Sequence, residues 1–299
     1  MSQQPSAQKE HSFFDKHTVI GTILLIIWGF FFITLPAGVL ASIISFPLGI
    51  KDPSDIQCFA ILITGLLALL IHKVWFKPEL KGILFRGFLK TLRCCPVILL
   101  YWILVCLPDF IHGSFPQTFN LHVLSISMTA GISEEIIFRG LPLSYLKRQL
   151  RKESQVPLIV FVTGALFGLS HLGNILFGST VSATLEQTVT TTCMGIFFSA
   201  LFMRGGNIAV PILLHTLHDI LMLSFSEADE VSAVITREAE LWDIPVMIVC
   251  LGLGAFGLFL IRKSKRSEIC EMWAETWSQT TENQPAVPAE TVNFNGGTL

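Results

Sequence analysis

Three short polar runs interrupt segments otherwise built from lipid-compatible side chains, and each carries groups capable of acid–base chemistry. The first holds Glu134, Glu135 and Arg139, the second ends in His171, and the third holds His215, His218 and Asp219. Ionised carboxylates at bilayer depth cost about 2.5–3.5 kcal/mol even on insertion scales, so each needs a partner or a task. Glu135 has a visible partner. Arg139 stands four residues on, with the acid N-terminal, the favoured orientation for a helical ion pair. Glu134 points about 100° away around the helix and has no such neighbour in its own segment. His215 and Asp219 are also four apart, so this carboxylate is expected to hold one imidazole nitrogen and fix the tautomer.

A free Glu, a His–carboxylate pair and a second His from another helix make a chemical kit. Glu134 can take a proton from water, while His171 and His215 bind that water and stabilise an oxyanion. The same side chains fit two other uses. Two His and one carboxylate suit a catalytic zinc ion, and the series could relay protons through a transporter. The remaining groups read as structural. The Glu135–Arg139 pair satisfies itself, and His218 is expected to pack or to support its neighbours. Gly164 and Gly168 are spaced for close helix contact, and Arg204 and Asn207 mark the entry to the helix carrying His215.

The elements that must position these residues follow from composition. Of the 299 residues, 52% are hydrophobic and only 14% charged, with a mean hydropathy of +0.63. Soluble domains run at about a quarter charged, so this is an all-α polytopic membrane protein. Apolar runs of about 20 residues are needed to cross a bilayer. They fall near 18–46, 56–76, 92–110, 122–146, 156–178, 186–203, 207–226 and 244–262. Basic residues crowd every second connection: Lys73 to Arg93, Lys147 to Lys152, Arg204, and Arg262 to Arg266. That alternation predicts about eight transmembrane helices with both termini cytoplasmic. Residues 1–17 then form a cytoplasmic segment, 18–266 the helical domain, and 267–299, polar and Pro- and Gly-bearing, a disordered cytoplasmic tail. The stretch near 78–91 alternates basic and apolar residues as an interfacial helix does. The seven cysteines show no paired framework and predict neither disulfides nor a cysteine metal cluster.

In order along the chain, Glu134-Glu135-x-x-x-Arg139, Phe167-x-x-x-His171 and His215-x-x-x-Asp219 resemble the motifs of the CaaX protease and bacteriocin-processing (CPBP) family of intramembrane endopeptidases. The resemblance covers roughly 120–222. It implies a conical helical-bundle core in which Glu134 activates water for peptide-bond attack. His171 and His215 would orient that water and stabilise the oxyanion, with Asp219 as a further polar ligand. Glu135, Arg139 and Asn174 would support the site. It implies a glutamic mechanism with no cofactor and no metal ligand, the zinc ion staying as the competing choice. The implied partners are membrane lipid and a membrane-associated or prenylated protein or peptide, not nucleic acid. Two departures are visible: Asp219 stands where Asn is more familiar, and no second histidine pair follows His171. The first would add negative charge near Glu134 or accommodate a cation; the second lowers the odds of prenyl-protein substrates and favours a bacterial-type member in a cytoplasmic membrane. A membrane interaction or bacteriocin-immunity protein that keeps the polar cluster without catalysis is the alternative, with a proton-coupled carrier behind it.

Overall fold

The computed structural model describes residues 17–51, 53–75, 87–111, 113, 116, 121–142, 153–225 and 243–282, and among them every regular element is helical. The chain runs through α1 (Thr18–Gly29), a π-helical turn (Phe30–Thr34), α2 (Leu35–Ser45), α3 (Pro53–Trp75), α4 (Phe88–Leu92) and α5 (Pro96–Ile111). It continues with α6 (Leu121–Glu135), a second π-helical turn (Ile136–Gly140), α7 (Gln155–Ser170) and a 3-10 helix (His171–Phe177). Last come α8 (Val181–Gly205), α9 (Ala209–Phe225), α10 (Asp243–Leu260) and α11 (Lys263–Glu282). Each of the eight apolar segments is therefore mostly helical over its described part. Val19–Ser45, Gln155–Leu176 and Asp243–Leu260 are long and apolar enough to cross a membrane, while Leu62–Ile71, Pro96–Ile111 and Ala209–Phe225 are shorter apolar helices. Of the expected interfacial stretch, only its end is described, as the turn of α4; 78–86 lie outside the described residues.

Packing proceeds in two rows. α2, α3, α6 and α9 follow one another on one side, and α7, α8, α10 and α5 on the other. Small residues set the closest contacts, because helices with no water to expel gain most from backbone approach. A Cβ on Gly164 would stand 2.6 Å from the Ile196 amide nitrogen, and one on Gly257 would stand 2.8 Å from Cα of Phe197. α8 is thereby pressed between α7 and α10, as the Gly164 and Gly168 spacing predicts for the first of these. Across the other row, a Cβ on Gly131 would lie 3.1 Å from the Ile212 carbonyl oxygen, so α6 and α9 meet one turn before Glu134.

The tail differs from expectation. Residues 267–282 continue α11 rather than a disordered segment, and 283–299 lie outside the described residues. The reason is an apolar edge within a polar stretch. Ile269 is fully buried and Trp273 nearly so, and the Trp273 indole N–H donates to the Met203 carbonyl at 2.9 Å. The Trp273 ring also meets Phe202 edge-on, and Met272 sits over Gly206, whose φ of 80° lets α8 turn sharply into α9. Outside that contact Glu268 takes both guanidinium nitrogens of Arg204 at 2.8 Å, with Lys90 at 3.4 Å. Arg204 is thus used for docking α11, and Asn207 Oδ1 accepts the Val210 N–H at the start of α9.

Candidate active site

The two rows meet at Glu135. This carboxylate ends α6 and is fully buried, and its Oε1 accepts from Arg139 Nη1 at 2.8 Å and from His215 Nδ1 at 2.9 Å. Arg139, also fully buried, lies in the π-helical turn that follows. Its guanidinium stacks 4.3 Å from the centre of the Phe167 ring on α7 and 5.9 Å from that of Phe198 on α8. Arg139 Nε donates to Ser199 Oγ at 3.4 Å, and the Thr163 hydroxyl meets the same oxygen at 3.0 Å. A single polar line therefore passes from α9 through α6 and α8 to α7. Burying an ion pair demands this kind of satisfaction, since the attraction alone does not repay desolvation.

The expectation that Asp219 fixes the His215 tautomer is corrected here. Asp219 Oδ1 stands 3.7 Å from His215 Nε2, beyond hydrogen-bond range, whereas Glu135 takes Nδ1 within it. The Glu135–Arg139 pair consequently does more than satisfy itself, because it anchors the histidine. His215 Nε2 is left facing two carboxylates, with Glu134 Oε2 also at 3.7 Å. Glu134 and Asp219 are partly exposed, at 34% and 24%, so this side of the ring is open where the Glu135 side is closed.

His171 begins the 3-10 helix, and its Nδ1 donates to the Phe167 carbonyl at 3.0 Å. Both imidazoles thus have Nδ1 engaged and present Nε2. They also share a wall, for the Phe167 ring lies edge-on to His171 at 5.1 Å and to His215 at 5.8 Å. That contact brings His171 level with the α6–α9 pair, although it stands deeper from its basic loop than Glu134 does. Among the described residues no hydrogen bond or ion pair joins His171 to Glu134 or His215. Asn174 lies one turn further on, and its Nδ2 donates to Gln187 Oε1 at 2.8 Å. His218 packs against the Tyr101 ring at 5.7 Å, in keeping with its packing role.

Sequence reasoning missed Phe167 as the common wall, and missed Ser199 and Gln187. Phe167 was visible only as the first letter of a motif. Ser199 and Gln187 sit on a helix with no other motif, and only cross-helix contact marks them. Among the described residues no three His, Cys, Asp or Glu side chains are grouped to hold a metal ion.

Residues 116–221 match the family model of type II CAAX prenyl endopeptidase Rce1-like proteins, and this segment contains all three polar runs. No curated protein and no solved structure matches the chain. Among the described residues the architecture is wholly helical with several apolar helices, and the chain is an integral membrane protein whose segment 116–221 is similar to the CaaX-type intramembrane proteases of the CPBP family.

Proposed function

We propose that the chain hydrolyses a peptide bond of a membrane-associated or prenylated protein by glutamate-activated water. The observation that carries this reading is the pair of environments around His215. Nδ1 is held by buried Glu135, and Nε2 faces partly exposed Glu134 and Asp219. A water on the open side would lie within reach of the Glu134 carboxylate, which takes its proton as the oxygen attacks the scissile carbonyl. The electrons displaced from that carbonyl collect on its oxygen, where His215 and His171, their Nδ1–H already donated, would stabilise the tetrahedral species through Nε2–H in the imidazolium form. Glu134 then returns the proton to the leaving nitrogen. Asp219 orients the water or steadies charge on His215, and Glu135 and Arg139 keep the ring from turning. Both termini are cytoplasmic, and the substrate is presented from the membrane.

The test is release of fluorescence from a quenched peptide carrying a prenylated cysteine and three further residues, with the protein in liposomes. Glu134→Gln is expected to abolish release while the protein stays folded. Full activity in that variant would leave the cluster as a retained scaffold. A chelator is expected to leave the rate unchanged; loss that zinc restores would replace this route with a zinc mechanism.

A further inference from the structure

The Phe167 carbonyl takes its donors from two side chains. It accepts from the Ser170 hydroxyl at 2.6 Å and from His171 Nδ1 at 3.0 Å. A carbonyl cannot donate, so the second contact puts an imidazole proton on Nδ1. Together the two side chains occupy both lone pairs of the oxygen. The backbone donor that an α-helix would bring to Phe167 is the His171 N–H, four residues on. That N–H goes instead to the Gly168 and Leu169 carbonyls, where α7 gives way to the 3-10 helix. Gly168 is held in turn by α8, since a Cβ on it would stand 2.5 Å from the Thr188 carbonyl oxygen.

Hydroxyls that bond back to their own helix are common in this bundle, Thr64, Thr163 and Ser224 among them, and by themselves are structural. Ser170 differs in what shares its acceptor. Without its hydroxyl one lone pair of the Phe167 oxygen is free, and the α-helical donor for it is the His171 N–H. Closing that bond lengthens α7 by one residue at the expense of the 3-10 turn. Successive side chains lie about 120° apart in a 3-10 helix and about 100° apart in an α-helix, so His171 swings by about 20°. A ring about 5 Å from the helix axis then moves by roughly 2 Å. Misplacement by about 1 Å is enough to cost roughly 100-fold in rate. The backbone N–H also competes with the imidazole for the carbonyl, so Nδ1 loses its fixed acceptor. We propose that Ser170 is a positioning residue: by occupying the Phe167 carbonyl it holds the His171 backbone in the 3-10 turn and keeps a proton on Nδ1, with Nε2 presented to the site. Its effect on rate rests on the endopeptidase reading above; its effect on the tautomer does not.

The experiment uses the full-length protein in liposomes and the same prenylated peptide. Ser170→Ala is expected to lower kcat about tenfold or more while KM stays within about threefold. Ser170→Thr keeps a hydroxyl that reaches the same carbonyl, and is expected to return kcat to within about threefold of the wild type. Nitrogen NMR of histidine-labelled protein, with the His171 signal assigned by its loss in His171→Gln, reads the tautomer directly. A proton on Nδ1 is expected in the wild type and in Ser170→Thr, and a mixture of tautomers in Ser170→Ala. In an active chain, an unchanged kcat in Ser170→Ala, an unchanged tautomer there, or a Thr variant as slow as the Ala variant would each overturn the proposal. Should Ser170→Ala unfold, Ser170→Cys, of similar size and with only a weak donor, takes its place under the same criteria. The tautomer needs no substrate, so it separates the two readings. In a chain that leaves the peptide intact, its loss in Ser170→Ala upholds the lock on His171 and its persistence refutes it. In an active chain whose tautomer is unmoved, the lock falls while the endopeptidase reading stands.

Discussion

Two acid–arginine clusters in this molecule use the same chemistry in opposite settings. Glu135 and Arg139 are fully buried and tied to His215, Ser199 and Phe167. Glu268 lies 43% exposed at the end of the bundle, where it gathers Arg204, Lys90 and Lys265. The outer cluster has more cations but water beside it, so solvent screens each attraction. The inner cluster has fewer partners, and every one is indispensable because nothing else can solvate the charge. Protein charge density says little about consequence. Access to water says much more.

Removing one side of the inner pair should sharpen the contrast most. Glu135→Ala leaves Arg139 as a buried, uncompensated cation and is expected to cost about 3–5 kcal/mol. Reversible unfolding in mild detergent would measure it, and a loss below 1 kcal/mol would erase the distinction between the clusters. Replacing both partners, Glu135→Met with Arg139→Met, should recover most of that stability because the charges leave together. Activity should stay lost in this variant, since His215 no longer has its anchor. Stability and activity returning together would show that the inner pair is not a positioning device.

Glu134→Gln belongs to neither cluster and separates chemistry from stability. Losing a general base should lower kcat by about 10²–10⁴-fold, with the unfolding midpoint nearly unmoved because the side chain is partly exposed. Ser199→Ala should cost about 1–2 kcal/mol by removing the shared hydroxyl between Arg139 and Thr163.

The smallest effect is expected at the outer cluster. The Arg204 guanidinium beside Glu268 draws its carboxyl down to about 2 from an ordinary 4.5. A lowered carboxyl stabilises the fold above about pH 4.5, and that contribution fades as pH falls towards 2. Glu268→Gln should therefore flatten the acid limb of the stability curve between those values. At neutral pH it should change stability by no more than about 1 kcal/mol after solvent screening.

The helices were legible because a long apolar run needs no tertiary knowledge to announce itself. α11 was not, since Ile269 and Trp273 are two apolar positions diluted by charged neighbours. Only their helical spacing hints that one face is buried. The site divides in the same way. Glu135–Arg139 is a contact within one helix segment, and its spacing predicts it. His215–Glu135 crosses between α6 and α9, and depends on how Gly131 lets those helices approach. Same-helix spacing therefore favoured Asp219 as the histidine's anchor, and only packing between helices reveals Glu135.

Phe167 offers a last consequence. One aromatic ring touches His171, His215, Phe138 and the Arg139 guanidinium. The two imidazoles, though carried by different helices, therefore lean on one mechanical part. Removing the ring, as in Phe167→Ala, would take a wall from both imidazoles and the stacked surface from Arg139 without touching any ionisable group.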